Sequence, residues 1–390
     1  MRLDWLLWFA AGATSGLGLL MIHSATRNRA RLSGRAISEL YFVQRQGVAV
    51  LVGVVIAVIA TAFDYRKLRD LWPLFYGLSL PLLAAVRFVG AGQGGTTAWF
   101  NVGPFQFQPS EMAKLVLIVA MAGYCHRHQG ELDAWHLAQA LALAGVPMGL
   151  VMLQNDLGTM LVMGVCVIAV LVVAGLKPVH LLVLFLVAAS VLGGLLMSGK
   201  FASYRLDRLT SFLDQSTNAR VQDLSSSEFN LRQAKAAIAS GGLTGQGLQH
   251  GPLTQNERVP EQRTDFIFTA VGEELGFAGG AVLMILYALV VWRTWRTAVT
   301  TTDLFGALIA IGLVAMFAFQ VFENVGMTMG MMPITGIPLP FMSYGGSSLV
   351  ANYVLLALLV RISDSTARSL YEVTDEPGVL DRLRIRRLGA

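Results

Sequence analysis

The chain has 390 residues, of which 55% are hydrophobic and only 14% are charged. Soluble domains average about 45–50% apolar and about 25% charged residues, so this composition excludes an ordinary soluble protein and favours an integral membrane protein. The formal net charge is +5, but most basic residues fall in short loops and near the C-terminus. Membrane topology and anionic lipid headgroups explain such residues, and no nucleic-acid ligand is expected.

Apolar stretches along the chain predict about ten transmembrane helices, because a spanning helix needs about 20 mostly apolar residues. The fourth and tenth stretches are short and need flanking residues to reach that length. The predicted cores, in chain order, are Leu6–Ile22, Val48–Phe63, Leu71–Val86, Met112–Tyr124, Leu137–Leu153, Leu157–Leu176, Val179–Met197, Phe266–Trp292, Leu304–Phe322 and Leu349–Val360. We therefore expect an all-α integral membrane domain over residues 1–362 and a basic cytoplasmic tail over residues 363–390.

Lysine and arginine residues concentrate in the even-numbered loops and the tail, which predicts that both termini are cytoplasmic. The arginines of the first loop, between residues 27 and 35, are an exception to this pattern. One long polar loop, residues 198–264, joins helices 7 and 8 and is then extracytoplasmic. Loops of this length are usually functional or disordered, and the stretch Phe229–Ser240 has the pattern of an amphipathic helix lying on the membrane.

Four polar motifs interrupt the apolar pattern, and each falls in or beside an odd-numbered loop. Because odd-numbered loops all lie on one side of the membrane, we expect the motifs to meet at the outer face and form a single site. The motifs are Gln108-Pro109-Ser110-Glu111-Met112-Ala113-Lys114, Asn155-Asp156-Leu157-Gly158-Thr159, Arg263-Thr264-Asp265-Phe266 and Ser343-Tyr344-Gly345-Gly346-Ser347-Ser348.

Charged residues in the first two motifs have both a structural and a functional interpretation. Glu111 and Lys114 lie three residues apart on a predicted helix, so they form either a local ion pair or the wall of a polar cavity. Asp156 is favoured slightly as the N-cap of the helix that begins near Leu157, and a role in the site stays open.

Asp265 stands where the long polar loop enters the eighth predicted helix, so N-capping is one interpretation of this residue. A functional role is favoured, because Glu273 and Glu274 add two carboxylates within the next ten residues, and buried acids are costly in a membrane. Gly272 and Gly276 form a small-residue face beneath Asp265, where another helix can approach closely.

The stretch between helices 9 and 10 is apolar but irregular. Residues 333–340 contain three prolines and cannot form a regular helix, which predicts a re-entrant or cavity-lining segment. The glycines and serines of residues 345–348 precede the last helix, where backbone N–H groups can bind phosphate. A simple turn is the more common explanation of such a sequence.

At these residues the chain resembles the SEDS family (shape, elongation, division and sporulation), which includes FtsW and RodA. The matching segments are the four motifs together with Ala239–Leu243, Gly272–Gly276 and Asn324–Met327, in the family's order and spacing. The resemblance implies ten transmembrane helices with cytoplasmic termini, a bacterial inner-membrane location, and polymerisation of the lipid II disaccharide into peptidoglycan. It also implies a class B penicillin-binding protein as the partner that performs transpeptidation.

The resemblance also implies roles for individual residues. Asp265 matches the essential aspartate of the family's Thr-Asp-Phe-Ile-Phe motif, Asp156 matches that of the Asp-Leu-Gly-Thr motif, and Glu111 and Lys114 match the Gln-Pro-Ser-Glu motif. The chain departs from the family pattern at Ala98, where arginine is common, and at Asn155, where proline is usual. The choice between an elongation and a division member stays open.

The expected reaction joins the 4-hydroxyl of one lipid-linked disaccharide to the anomeric carbon of another, with undecaprenyl pyrophosphate leaving. Asp265 is the expected base. The pyrophosphate is expected to meet one or more cationic or turn residues, and Ser343 and Ser347 to bind substrate or support the site. The candidates for the pyrophosphate are Arg263, Arg205, Arg208 and the turn at Gly345 and Gly346. A divalent cation, Mg²⁺ or Mn²⁺, is possible, although no dedicated ligand set is visible.

Two other functions fit part of the sequence. A transporter or flippase of lipid-linked precursors would explain the intramembrane charges and the broken segment at residues 333–340, but it needs a polar path across the bilayer. A non-catalytic scaffold for a wall synthase would make Asp265 dispensable.

Overall fold

The computed structural model describes residues 4–28, 39–93, 96–102, 105–129, 133–183, 186 and 226–375. Helices dominate this part of the chain, and the bundle contains one small sheet. The helices are α1 (Trp5–Thr26), α2 (Tyr41–Ala60), α3 (Leu68–Val89), α4 (Pro109–Arg127), α5 (Ala134–Leu153), α6 (Leu157–Val173), α7 (Ser226–Gly241), α8 (Pro252–Gln255), α9 (Ile267–Thr300), α10 (Leu304–Met329) and α11 (Gly346–Asp375). A single 3₁₀ turn, Tyr65–Lys67, precedes α3.

Seven helices among the described residues are long and apolar enough to cross a membrane, namely α1, α2, α3, α5, α9, α10 and α11. The chain is therefore a multi-pass membrane protein. Nine of the ten predicted cores coincide with helices, and α4 and α11 extend beyond the short cores predicted for them. The remaining predicted core, Val179–Met197, lies mostly outside the described residues, and only its first residues are seen as helix.

A three-stranded antiparallel sheet lies between α3 and α4, and the sequence did not predict it. Its strands are β1 (Ala91–Gln93), β2 (Thr96–Val102) and β3 (Phe105–Phe107), in the order β1-β2-β3. The sheet packs on the end of α3, and β3 also contacts the start of α11. Strands this short show too few alternating residues to be recognised from sequence.

Helix α10 lies at the centre of the bundle and packs against α4, α6, α7 and α9. Close approach is possible because Gly312 has no side chain. A Cβ at Gly312 would lie 2.7 Å from Ile118 of α4 and 3.2 Å from Val170 of α6. Helix α2 packs instead on α1 and α11, whereas α3 packs on α4 and α5, so these two consecutive helices hardly touch.

Helix α9 is broken at Gly276, whose φ of 65° and ψ of −161° are open only to glycine. The glycine-rich segment 242–247 supplies partners for the backbone groups freed by the break. Gln246 N donates to Glu273 O at 2.9 Å, and Phe277 N donates to Gly242 O at 2.9 Å. The break separates a short first part of α9, which begins beside Asp265, from the longer part that follows Gly276.

The loop predicted over residues 198–264 is largely structured where it is described; residues 198–225 lie outside the described part of the chain. The predicted amphipathic helix is confirmed as α7. One face of α7 packs on protein, since Leu231, Ala234 and Ala237 are buried in a cluster with Phe266 and Met327.

The boundary predicted after Ile362 does not coincide with a helix end, because α11 continues to Asp375. Within this continuation Arg361 Nη1 lies 3.1 Å from Asp364 Oδ2. Such an i,i+3 ion pair is compatible with helix beyond the apolar stretch. Residues 376–390 of the predicted tail lie outside the described residues.

Candidate functional site

The four polar motifs meet at one end of the bundle, as predicted from their positions in or beside odd-numbered loops. A continuous series of contacts joins them, from Asp265 through residues 336–337 to the start of α6, then to the start of α4, the start of α11, and back to Arg263. We call this series the motif ring.

Asp265 lies just before α9 and is partly exposed. The N-cap of α9 is Phe266, with no side-chain hydrogen bond to the helix, so the capping interpretation of Asp265 is wrong. The carboxylate lies against the irregular segment predicted at residues 333–340. A Cβ placed on Gly336 would be 3.2 Å from Asp265 Oδ2. Only glycine, here with φ of +77°, leaves room for the carboxylate at this place.

The irregular segment also touches α6. Gly158 packs directly on Thr335 and Ile337, where a Cβ would lie 2.7 Å from the Ile337 side chain. Asp156 caps α6 as predicted, its Oδ1 accepting from Thr159 N at 2.9 Å. Asn155 before it has a φ of 61°, which proline cannot adopt.

Gln108 joins the starts of α4, α6 and α11. Its side-chain Nε2 donates to Asp156 Oδ2 at 3.2 Å, and its backbone N–H donates to Ser347 Oγ at 3.1 Å. Ser347 Oγ in turn donates to Gln106 O of β3 at 2.7 Å. Ser347 therefore has a structural role that ties α11 to the sheet.

Gln46 of α2 is buried and holds the turn that precedes α11. Its Nε2 donates to Ser343 O at 3.0 Å, and its Oε1 accepts from Gly345 N at 3.1 Å. Ser343 Oγ accepts from Leu339 N at 2.9 Å, which closes the turn on the irregular segment. The Gly345 N–H is thus occupied and cannot bind a phosphate, so only the later N–H groups, from Gly346 onward, could serve that predicted purpose.

Arg263 completes the motif ring, because its carbonyl accepts from Tyr344 N at 2.9 Å. Its guanidinium lies 4.7 Å from the Phe42 ring centre and 5.9 Å from that of Tyr344. The guanidinium of Arg45 lies 5.3 Å from the ring centre of Tyr41, and it donates to Tyr41 Oη at 2.8 Å. Burial raises the pKa of the Tyr344 hydroxyl, and the positive charge of Arg45 partly opposes that rise.

These two arginines differ from others of the chain in their ion pairing. Within the described residues neither Arg45 nor Arg263 forms an ion pair, whereas Arg293 and Arg361 both pair with aspartates. The Nε of Arg263 is also buried without a hydrogen-bond partner in that part of the chain. Two cations held beside aromatic rings without counter-charges are suited to binding an anion.

Glu111 and Lys114 form the predicted ion pair in the first turns of α4. Lys114 Nζ lies 2.8 Å from Glu111 Oε1, and both side chains are almost fully buried, at 4% and 3% exposure. This contact favours the ion-pair interpretation. The pair lies within the first two turns of α4, the helix whose N-cap is Gln108.

Glu273 and Glu274 are buried and hold the polar loop against α1 and α9. Glu273 accepts hydrogen bonds from the backbone N–H groups of Leu253 and Thr254, both at 2.8 Å. Glu274 accepts from Ser24 Oγ at 2.6 Å. Glu273 thus caps α8, and Glu274 joins α1 to α9. These structural contacts explain why two acids are buried here, without a catalytic role for either.

Sequence reasoning missed three amide residues of the motif ring as site residues, namely Gln46, Gln108 and Asn324. Gln108 and Asn324 lie in recognised segments, but nothing in an amide's position reveals which backbone groups it binds. Arg205 and Arg208 lie outside the described residues. In the described ranges, no group of three or more His, Cys, Asp or Glu side chains is placed to hold a metal ion.

Comparisons with known proteins identify the family. The family model for FtsW, RodA and SpoVE proteins, described as cell cycle protein, matches residues 4–368. The chain belongs to this family. Stage V sporulation protein E of Bacillus subtilis is 35% identical to this SEDS chain over 353 residues, covering 89% of the chain and 93% of that protein. The probable peptidoglycan glycosyltransferase FtsW of Geobacter metallireducens is 32% identical over 366 residues, covering 93% of the chain and 95% of that protein.

Solved structures agree with this assignment. A chain of a peptidoglycan synthase complex, described as coordinating polymerization and crosslinking, matches with a TM-score of 0.78 and 32% identity. That match covers 94% of this SEDS protein and 99% of the solved chain. The rod shape determining protein RodA of Thermus thermophilus matches with a TM-score of 0.69 and 32% identity, covering 94% of this chain and 98% of its own.

The buried ion pair of α4 gives a test of stability. Lys114→Ala leaves Glu111 buried without its counter-charge, and we expect a loss of about 3–5 kcal/mol in the free energy of unfolding. The double variant Glu111→Ala with Lys114→Ala should lose less. Unfolding of the purified protein in detergent measures both, with Lys177→Ala as a control because Lys177 is exposed. Equal losses in the single and double variants would contradict the pairing.

Proposed function

We propose that this SEDS protein is a peptidoglycan glycosyltransferase that polymerises lipid II at the outer face of the bacterial inner membrane. The observation that carries the proposal is the motif ring. It gathers four distant motifs around Asp265, whose carboxylate is partly exposed and does not cap its helix. Relatives named probable peptidoglycan glycosyltransferase FtsW, 32–36% identical over most of the chain, support the same reaction.

The proposed step is a displacement at the anomeric carbon of one lipid-linked disaccharide. The 4-hydroxyl of the acceptor forms the new C–O bond while its proton passes to the Asp265 carboxylate. The bond between the anomeric carbon and the diphosphate oxygen breaks, that oxygen keeps the electron pair, and undecaprenyl diphosphate leaves. A positioned carboxylate base contributes about 10²–10⁴-fold to such a rate.

The polyprenyl chain of the substrate is proposed to lie between α2 and α3. These helices hardly touch, and both expose large apolar side chains along their length, such as Leu51 and Val55 of α2 and Leu74 and Leu78 of α3. A lipid in this gap would place its diphosphate near the outer end of α2. Arg45 and Arg263 lie there without carboxylate partners among the described residues, and we assign the diphosphate to them.

The diphosphate assignment predicts a charge-specific loss of binding. Arg45→Gln should weaken binding of geranylgeranyl diphosphate about 10–100-fold, since a hydrogen bond to a charged group contributes about 1.5–3 kcal/mol. Geranylgeraniol, which lacks the diphosphate, should bind both proteins equally. Calorimetry in detergent measures this, with Arg87→Gln at the exposed end of α3 as the matched control. Equal weakening for the alcohol and the diphosphate would contradict the assignment.

The orientation proposed is ten transmembrane helices with both termini in the cytoplasm and an extracytoplasmic loop between helices 7 and 8. The charges at the end of the bundle opposite the motif ring support it, since Arg66, Arg293, Arg296 and Arg361 lie there. A class B penicillin-binding protein is the proposed partner, because the similar synthase complex is described as joining polymerization to crosslinking.

A reporter inserted after Gln93, in the sheet beside the motif ring, should read extracytoplasmic. A reporter at the C-terminus should read cytoplasmic, because the positive end of the bundle is retained inside. Paired fluorescent and phosphatase reporters measure each position. A cytoplasmic signal after Gln93 would overturn the proposed orientation and the outer-face site with it.

Two rival functions are less well supported. A transporter needs a polar path through the bilayer, whereas the contacts of the motif ring are gathered at one end. A scaffold would not require a carboxylate at Asp265. The glycosyltransferase is therefore preferred, and the test below separates it from both.

Asp265→Asn preserves size and polarity but removes the basic oxygen. Purified protein carrying this substitution should be folded and inserted, yet should form glycan chains from labelled lipid II at least about 10²-fold more slowly. Asp303→Asn is the matched control, since Asp303 caps α10, Asn is an equally good cap, and activity should be retained. Normal synthesis of glycan chains by the Asp265→Asn protein would contradict the catalytic assignment.

A further inference from the structure

The catalytic position proposed for Asp265 is built from two irregular segments. Residues 261–266 form turns before α9, and residues 333–339 have no regular structure. The Asp265 carboxylate lies against Gly336 of the second segment. Neither segment has a helix or strand ladder to fix it, so something else must set the distance between them.

Asn324 of α10 provides that connection. Its Nδ2 donates to Asp265 O at 2.7 Å and to Ile337 O at 2.7 Å. The side chain is fully buried, at 0% exposure, on the central helix of the bundle. The amide orientation is fixed by its partners, because a flipped amide would point its oxygen at two carbonyl oxygens.

We propose that Asn324 is a positioning residue. By binding both segments, it holds the Asp265 carboxylate at a fixed position against Gly336. One side-chain amide group spans both halves of the site, so removing it frees both at once. The inference rests on the proposed function, in which Asp265 accepts the proton of the acceptor hydroxyl. Displacement of a catalytic group by about 1 Å can reduce a rate about 10²-fold.

A simple packing role does not explain this residue. The Oδ1 of Asn324 is buried and has no hydrogen-bond partner among the described residues, which carries a cost in stability. An apolar side chain would avoid that cost. The presence of an amide at this position is therefore explained by its two N–H donors, which connect the two segments.

Helix α10 offers a matched control one turn earlier. Gln320 is also a buried amide, at 2% exposure, and its Oε1 likewise has no partner in the described part of the chain. It donates to neither Asp265 nor Ile337. Substitutions at Gln320 therefore reproduce the loss of a buried amide from α10 without releasing the two segments.

The first test compares Asn324→Ala, Asn324→Asp and Asn324→Ser with Gln320→Ala and Gln320→Glu. With purified protein and labelled lipid II, Asn324→Ala and Asn324→Asp should lower kcat about 10²-fold and leave KM within about twofold. Asn324→Asp has the same shape but lacks the N–H donors, so a space-filling role predicts that it stays active. Asn324→Ser retains one donor and should be intermediate. Near wild-type kcat for Asn324→Asp, or an equal loss in Gln320→Glu, would overturn the proposal.

A second measurement does not depend on activity. Hydrogen exchange followed by mass spectrometry should show faster exchange in peptides covering residues 261–266 and 333–339 for Asn324→Ala, and unchanged exchange for Gln320→Ala. Unchanged exchange in Asn324→Ala would refute the positioning role even if activity fell. If the wild-type protein makes no glycan, the proposed function fails, and the exchange result still decides whether Asn324 holds the two segments.

Discussion

Backbone polar groups inside a membrane protein must find hydrogen-bond partners within the protein, because the lipid offers none. This constraint governs the two places where the bundle departs from regular helix. At Gly276 the break in α9 is matched by the backbone of residues 242–247. At residues 333–340 the chain is irregular and partly buried, and side chains supply hydrogen-bond partners: the amide of Asn324 and the hydroxyls of Tyr287 and Ser343. Both departures lie at the same end of the bundle, and together they bring Asp265 to its position.

Two amide residues perform equivalent tasks on opposite sides of the motif ring. Gln46 binds the turn before α11 through both its amide nitrogen and its oxygen. Asn324 binds the segments before α9 and before α11 through its nitrogen alone. Amides suit these positions because they satisfy backbone groups without adding charge to a membrane interior, where a buried ion is costly. The charges that are buried nearby, Glu111 and Lys114, are paired with each other.

The sequence predicted the membrane class, most of the helices and the meeting of the four motifs. The length of each apolar stretch and the alternation of loops between the two sides of the membrane are strong constraints. The sequence also identified Asp156 correctly as a cap. N-capping by Asp265 was one of the two interpretations offered, and the N-cap position of α9 is Phe266 instead, since local sequence does not determine where the first helical turn begins. The contacts of Gln46 and Asn324 could not be predicted, because their partners lie more than ten residues away on other elements. The sheet between α3 and α4 was too short to show periodicity.

The contacts of the acids at this end of the bundle separate the carboxylates with structural roles from Asp265, the proposed base. Glu111, Glu273 and Glu274 are buried and committed to an ion pair or to hydrogen bonds, so their role is to hold α4, α8 and α1 in place. Asp156 is committed to the start of α6. Asp265 is partly exposed, as Asp156 is, but it lies one residue before the N-cap position of its helix and rests against Gly336. The acid proposed as the base is thus surrounded by carboxylates whose contacts are structural.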